Sequence, residues 1–327
     1  DVRLVGAPPS NIGKFGGDTD NWVWPRHTGD FSVFRIYADS NNMPAAYSED
    51  NVPYKPKQHF NVSLKGVDEG DFTFVFGYPG STESYIPSQA VEMQVEVINP
   101  IRIGLRGKKI AIYKRYMNSD PGIRIQYAAK QAGVSNGWKK WIGENRGIRR
   151  LNTIKNKQKF ESEFSAWVNA SQERKENYGG LLPAFDEVYG NLSDLNYKIT
   201  YYREAGLGIE ALRFARRFNS LIAASKLKET EEETIDELVE KLKRSSASFF
   251  EDYQSAIDKE VFEALMSEFA SKINEEEQPG QLVAFQKKTD GDFGELAAYV
   301  FDDSYFTSEE KMIGILDSYK KKNYNLR

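Results

Sequence analysis

The hydrophobic period changes once along this chain. Up to about residue 87 the apolar positions alternate, with Phe31, Val33 and Tyr37 on one face of a stretch and Phe34 and Ile36 on the other. The same two-residue habit recurs at 60–64 and 72–76, on either side of the turn-forming run Asp68, Glu69, Gly70, Asp71. Short strands joined by long connections rich in Gly and Pro predict an antiparallel barrel or sandwich. The segment FVFGYPGST closes this region with a tight turn at Gly77, Pro79 and Gly80.

From about residue 88 the apolar spacing becomes three to four and stays so to the end. Asp120 before Pro121 predicts an N-cap and first helical position, and Phe160, Phe164 and Trp167 then recur at helical spacing. Thr230 with Glu233, ahead of Ile235, Leu238, Val239 and Leu242, predicts a capping box. Thr307 with Glu310 predicts another, ahead of Met312, Ile313 and Leu316. Pro183, the Gly206 and Gly208 pair, and EEEQPGQ at 275–281 separate the helices. No repeat of fixed period argues for a solenoid. The expected class is α+β, with a β-rich portion over 1–87 and an all-helical domain over 88–327.

Length supports two domains, since 327 residues exceed the roughly 250 at which single cores stop growing. Composition is ordinary, and no apolar run approaches the roughly 20 residues of a membrane span. The chain has no cysteine, which excludes disulfides, thiolate metal sites and a cysteine nucleophile together. It starts at Asp1, inside strand and turn sequence, without initiator methionine or signal-peptide pattern, and so reads as internally cut. The net charge of -4 is spread unevenly. Residues 101–160 hold sixteen Lys and Arg against two acids, and residues 228–277 hold sixteen acids against six bases. Basic blocks can mark nucleic-acid surfaces, but the helical pattern beneath this one and the acidic complement favour a solvated or internally paired face. No nucleic-acid partner is expected.

The candidate chemistry lies in DNWVWPRHTGDFSVFRIY, residues 20–37. From the residues alone, Asp30 after Gly29 at a strand start reads as turn chemistry, its carboxylate accepting backbone N–H groups. His27 has no G-x-S-x-G partner with which to form a relay, and His27 with His59 in a cysteine-free chain makes no metal cluster. Trp22 and Trp24 read as an extended segment with one ring packed in the core. Asn136 before Gly137 reads as a helix C-cap or turn residue, and Trp138 with Trp141 as a packing stripe. Two other function classes fit these features. One is a noncatalytic scaffold that captures a ligand or partner with aromatic loops and charged helices. The other is a glycoside hydrolase using Asp18, Asp20 or Asp30, which needs paired acids at a separation that sequence spacing does not supply.

The stretch GGDTDNWVWPRHTGDFSVFRIYAD, residues 16–39, resembles the hallmark segment of the bacterial dipeptidyl aminopeptidases with a chymotrypsin-like fold, the family containing dipeptidyl-peptidases seven and eleven. VFGYPGST at 75–82 is similar to the strand and turn after the catalytic aspartate of trypsin-like peptidases, and the helical remainder is similar to the domain that caps their cleft. The resemblance implies part of a trypsin-like antiparallel β-barrel followed by a large helical cap. It also implies that Asp30 is the acidic member of a Ser-His-Asp triad, holding a histidine tautomer and stabilising the imidazolium. The family's order is His, Asp, Ser. Neither His27 nor His59 matches the upstream histidine, and no Gly-Asn-Ser-Gly loop is present. The expectation is a middle portion carrying one triad member and inactive alone.

A dipeptide-releasing enzyme measures from the substrate's ammonium group to the scissile carbonyl, about 7 Å over two extended residues. Amide oxygens and carboxylates suit that ammonium, which has donors only. By resemblance Asn21 and Trp22 line the amino-terminal pocket, Asn136 supplies a second asparagine from the helical domain, and Arg26 either orients the pocket or pairs with a nearby acid. The resemblance further implies oligopeptide substrates with a free N-terminus, no metal or organic cofactor, and a periplasmic or cell-surface location. It allows a homodimer of the full-length enzyme, and it assigns preference for the residue before the cut to the serine lobe.

Overall fold

The computed structural model describes residues 1–13, 22, 28–74, 76–77, 83–227 and 229–320. The chain divides into two compact units, Asp1–Tyr85 and Ile86–Arg327. The first holds a small antiparallel sheet in the order β1 (Val2–Gly6), β2 (Val33–Ala38), β3 (Val52–Pro53), with a one-turn helix α1 (Ser10–Gly13) after β1. Val2 pairs with Ile36 and Leu4 with Phe34, and an irregularity between Leu4 and Gly6 shifts the register. The β2–β3 connection is fixed by short polar side chains. The Asp39 carboxylate accepts from the amides of Asn41 and Met43, both at 2.9 Å, and Asn42 sits at φ 63° while its amide bonds both ways to the Lys55 backbone. Asparagine tolerates that left-handed backbone because its side chain bonds locally. Pro53 lies on the edge strand, where a missing donor costs least.

The strands expected at 60–64 and 72–76 are absent among the described residues; these stretches are irregular, with Phe60, Val62, Leu64, Phe72 and Phe74 exposed. Alternation marks suitability for a pleated, half-buried surface, but a strand exists only where a neighbour completes its ladder. Of the described residues in this unit, Ala38 alone is buried. The predicted turn at 77–80 is described only at Gly77, because Pro79 and Gly80 lie outside the described residues.

The second unit is helical. A continuous run carries α2 (Ser88–Met93), a π turn (Gln94–Ile98) and α3 (Asn99–Ser119), followed by α4 (Pro121–Arg150), α5 (Thr153–Asn169) and α6 (Gln172–Tyr178). Next come α7 (Leu181–Tyr201) with a second π turn (Tyr202–Gly206), α8 (Glu210–Ala215), α9 (Asn219–Lys226), α10 (Glu232–Glu251) and α11 (Ser255–Lys272). The unit ends with α12 (Gly280–Lys288), α13 (Phe293–Asp303) and α14 (Glu309–Ser318). Asp120 caps α4 as expected, accepting from the Gly122 and Ile123 amides with Pro121 in the first turn. Two caps fall one residue later than the sequence suggests. The N-cap of α10 is Glu231, and that of α14 is Ser308, whose hydroxyl accepts from the Lys311 amide. Thr307 instead donates to the carbonyls of Phe301 and Ser304, closing the preceding turn. Pro183 stands inside the first turn of α7, where its missing N–H costs nothing.

Two apolar clusters hold this unit. The larger joins α3, α4, the second π turn, α11 and α13 through Leu105, Tyr113, Tyr127, Leu265 and Phe301. The smaller joins α8 to α10 and α14 through Phe214, Ile235, Leu242 and Met312. The basic block is partly paired internally, as Lys108 meets Glu268 at 2.8 Å and Arg115 meets Glu260.

Candidate active site

In the first unit, Asp30 sits between α1 and β2. The Gly29 amide donates to the Ile12 carbonyl at 3.0 Å, and the Phe31 amide turns back to the Gly29 carbonyl at 3.0 Å. These bonds fix the backbone on both sides of Asp30 before the β2 ladder begins. The turn reading had the Asp30 carboxylate taking up such amides. Instead the amides go to carbonyls, and the carboxylate is exposed with no hydrogen bond or ion pair among the described residues. Trp22 is 49% exposed and has φ 61°, a left-handed backbone that bulky residues rarely adopt, so the extended reading fails at this position. Asn21, Trp24, Arg26 and His27 lie outside the described residues.

Asn136 belongs to the second unit. It is exposed in the middle of α4, fourteen residues before the Arg150 end, so the C-cap reading is overturned. The glycine after it answers a close approach and no turn. A Cβ on Gly137 would lie 2.8 Å from Arg106 Nη1 and 3.2 Å from the Trp141 ring. Arg106 lies over Trp141 at 4.5 Å and forks onto Glu204 at 2.8 and 3.2 Å, while Trp138 Nε1 donates to the Ile103 carbonyl at 3.1 Å. The two tryptophans thus clamp α4 to α3, as their spacing suggested, and leave Asn136 on the outer side.

A buried ionic network in the same unit escaped the sequence reading. Asp258 of α11 accepts from the Glu210 and Ala211 amides at 2.7 and 2.8 Å, capping α8 from a neighbouring helix, and from the Tyr253 hydroxyl at 3.2 Å. Glu210 takes Lys130 Nζ at 2.8 Å and the Tyr113 hydroxyl at 3.1 Å, and Lys109 Nζ donates to the Gly208 carbonyl. Burial pushes Asp258 up to about 6, helped by the Glu210 charge, and pulls Lys109 down to about 8. The phenols of Tyr113, Tyr127 and Tyr253 are also driven upward by burial and by the same carboxylates. One sequence signal existed: Lys109 lies four residues from both Leu105 and Tyr113, a charge placed on a buried stripe. The partners come from helices that sequence spacing does not relate. Among the described residues no group of three or more His, Asp or Glu side chains is placed to hold a metal ion.

Comparison with known proteins resolves the family. The model of Peptidase S46 matches residues 1–326. The chain belongs to the Peptidase S46 family. As an S46 chain it is 43% identical over 324 residues to an Asp/Glu-specific dipeptidyl-peptidase of Capnocytophaga gingivalis, covering 97% of this chain and 43% of that protein. It is 41% identical over 320 residues to dipeptidyl-peptidase 7 of Porphyromonas endodontalis, covering 97% of this chain and 38% of the relative. The crystal structure of Porphyromonas endodontalis DPP11 in complex with the dipeptide Arg-Glu matches with a TM-score of 0.75 at 35% identity. That match covers 99% of this chain and 46% of the other. This S46 chain therefore spans less than half the length of the curated relatives it matches. No helix among the described residues is long and apolar enough to cross a membrane.

Proposed function

We propose that this chain is the aspartate-bearing and helical part of a serine-type dipeptidyl aminopeptidase that releases dipeptides from the free N-terminus of oligopeptides. Its relatives are dipeptidyl-peptidases, and one related structure holds a substrate. The observation that carries the reading is Asp30. Its carboxylate is exposed three residues before β2, on a backbone held from both sides, within the segment 16–39. Such a carboxylate can accept the Nδ1 hydrogen of a histidine, keep the other ring nitrogen as the base, and stabilise the imidazolium formed as serine attacks. The histidine and serine come from the remainder of a longer polypeptide.

In this reading residues 1–87 form part of a trypsin-like barrel and residues 88–327 its helical cap. The exposed apolar residues of the first unit support the barrel, because their alternation suits strands that further ladders would cover. Asn21, Trp22 and Asn136 receive the substrate ammonium, and Arg26 supports the pocket. Asn136 is exposed within α4, at the surface where that role would be played. The enzyme acts in the periplasm or at the cell surface, and the full-length form can assemble as a homodimer. In the full-length enzyme, Asp30→Asn should lower kcat for dipeptide release about 10⁴-fold with little change in KM. Retention of a tenth or more of the activity would sink the assignment. The purified 327-residue chain alone should release no dipeptide.

A further inference from the structure

A cavity of about 530 Å³ opens in the helical unit between α3, α4, the segment leading into α8, and α11. That size suits a small ligand, for which pockets run from roughly 300 to 1,000 Å³. Its apolar wall is Leu105, Val134, Leu207 and Leu265. Its charged lining is Arg106, Lys109, Lys130, Arg203 and Arg213 against one carboxylate, Glu204.

The nearby anions are already engaged. Glu204 holds Arg106 at 2.8 Å and has Arg102 at 3.8 Å. Glu210 holds Lys130, and Asp258 is occupied by the α8 amides. Lys109, only 5% exposed, bonds to the Gly208 carbonyl and makes no ion pair among the described residues. Arg203 and Arg213 are exposed at the cavity and likewise have no ion pair there. Cations gathered in a concavity with apolar walls focus a positive field, and guanidinium forks and ammonium donors suit oxyanions. We propose that this cavity binds a small multivalent oxyanion, with Lys109 at its floor and Arg203 and Arg213 at its rim.

Valence follows from the lining, since Glu204 takes Arg106 and Glu210 takes Lys130, and the three remaining cations, Lys109, Arg203 and Arg213, call for more than one negative charge. Burial, Arg213 and Arg106 all lower Lys109, yet at about 8 it remains protonated at neutral pH while Glu210 and Asp258 hold it up. Gly133 lines the cavity, and a Cβ there would meet nothing within 4 Å. A larger side chain at 133 can therefore fill the space and leave every charge in place.

The test is calorimetric titration of the full chain with pyrophosphate, and with acetate as the monovalent comparison. One saturable pyrophosphate site is expected, with acetate at least about tenfold weaker. Arg203→Gln combined with Arg213→Gln should weaken pyrophosphate about tenfold or more, and so should Gly133→Leu. Lys139→Gln combined with Lys140→Gln, which changes α4 charges outside the lining, should leave the affinity unaltered. Unchanged melting temperatures would show each variant folded. The proposal is overturned by absence of a saturable site, by acetate binding equal to pyrophosphate, by an equal loss in the Lys139 and Lys140 variant, or by wild-type affinity in both the paired arginine and the Gly133 variants.

Discussion

In the strand unit Phe60, Leu64 and Phe76 are 99%, 96% and 98% exposed, whereas in the helical unit Lys109, Glu210 and Asp258 are 5%, 2% and 1% exposed. One unit leaves large apolar side chains in water, and the other takes charges out of it. A helix satisfies its own backbone, so helices can bundle around a closed core and recruit polar partners from one another. A strand satisfies its backbone only across a ladder, and its apolar faces stay open until other strands or layers cover them. The helical unit thus carries its own stability, while the strand unit carries positions whose value lies in what they meet.

The largest effect that would sharpen this contrast comes from the unit with the smaller core. Asp30→Asn should cost about 10⁴ in kcat of the full-length enzyme while leaving the melting temperature of the 327-residue chain unchanged. Next, Phe262→Ala, at a buried position of the larger helical cluster, should destabilise the chain by about 3–5 kcal/mol in urea unfolding. Phe60→Ala should stay within about 0.5 kcal/mol, and a comparable loss there would break the comparison.

The buried charges make the third prediction, through pH. Native Asp258, raised to about 6, holds a proton that the unfolded chain has already lost between about pH 4 and 6, so its contribution to stability falls as pH rises through that window. The stability of the parent relative to Asp258→Asn should therefore drop by about 3 kcal/mol from pH 4 to pH 6 and then level off. Lys109, lowered to about 8, acts oppositely. Its burial cost is present below pH 8 and is relieved as pH rises toward its ordinary range, so Lys109→Met should flatten the alkaline limb of the stability profile. The smallest effect belongs to the surface. Arg149 and Glu96 meet at 3.0 Å with both side chains about half exposed, and Arg149→Ala should cost less than about 1 kcal/mol.

Legibility in the sequence followed the same divide. The change of period at residue 88, the Asp120 cap and the α10 stripe of Ile235, Val239 and Leu242 were readable because helical signals are local. The strands at 60–64 and 72–76 were not, because pairing decides them and alternation does not contain the partner. Capping boxes shifted by one residue at α10 and α14, since neighbouring Thr, Ser and Glu can each start a helix. Asn136 misled because an Asn-Gly pair ordinarily ends a helix, whereas here the glycine makes room for Arg106 and Trp141. Asp30 stood out only through its surroundings, since its own position after a glycine also suits a turn. The ionic network was hidden because its members lie up to 149 residues apart, from Lys109 to Asp258, and meet only when α3, α8 and α11 pack.

The corner at 208–211 has a mechanical consequence. Lys109 of α3 holds its entering carbonyl, and Asp258 of α11 holds the two amides that begin α8. Releasing that carbonyl and those amides to solvent means stranding a lysine and an aspartate inside the protein, so fraying of α8 cannot proceed independently of the helices that fasten it. The Glu210 and Ala211 amides should accordingly exchange with deuterium as slowly as the most protected amides of α11, although α8 itself is a six-residue helix.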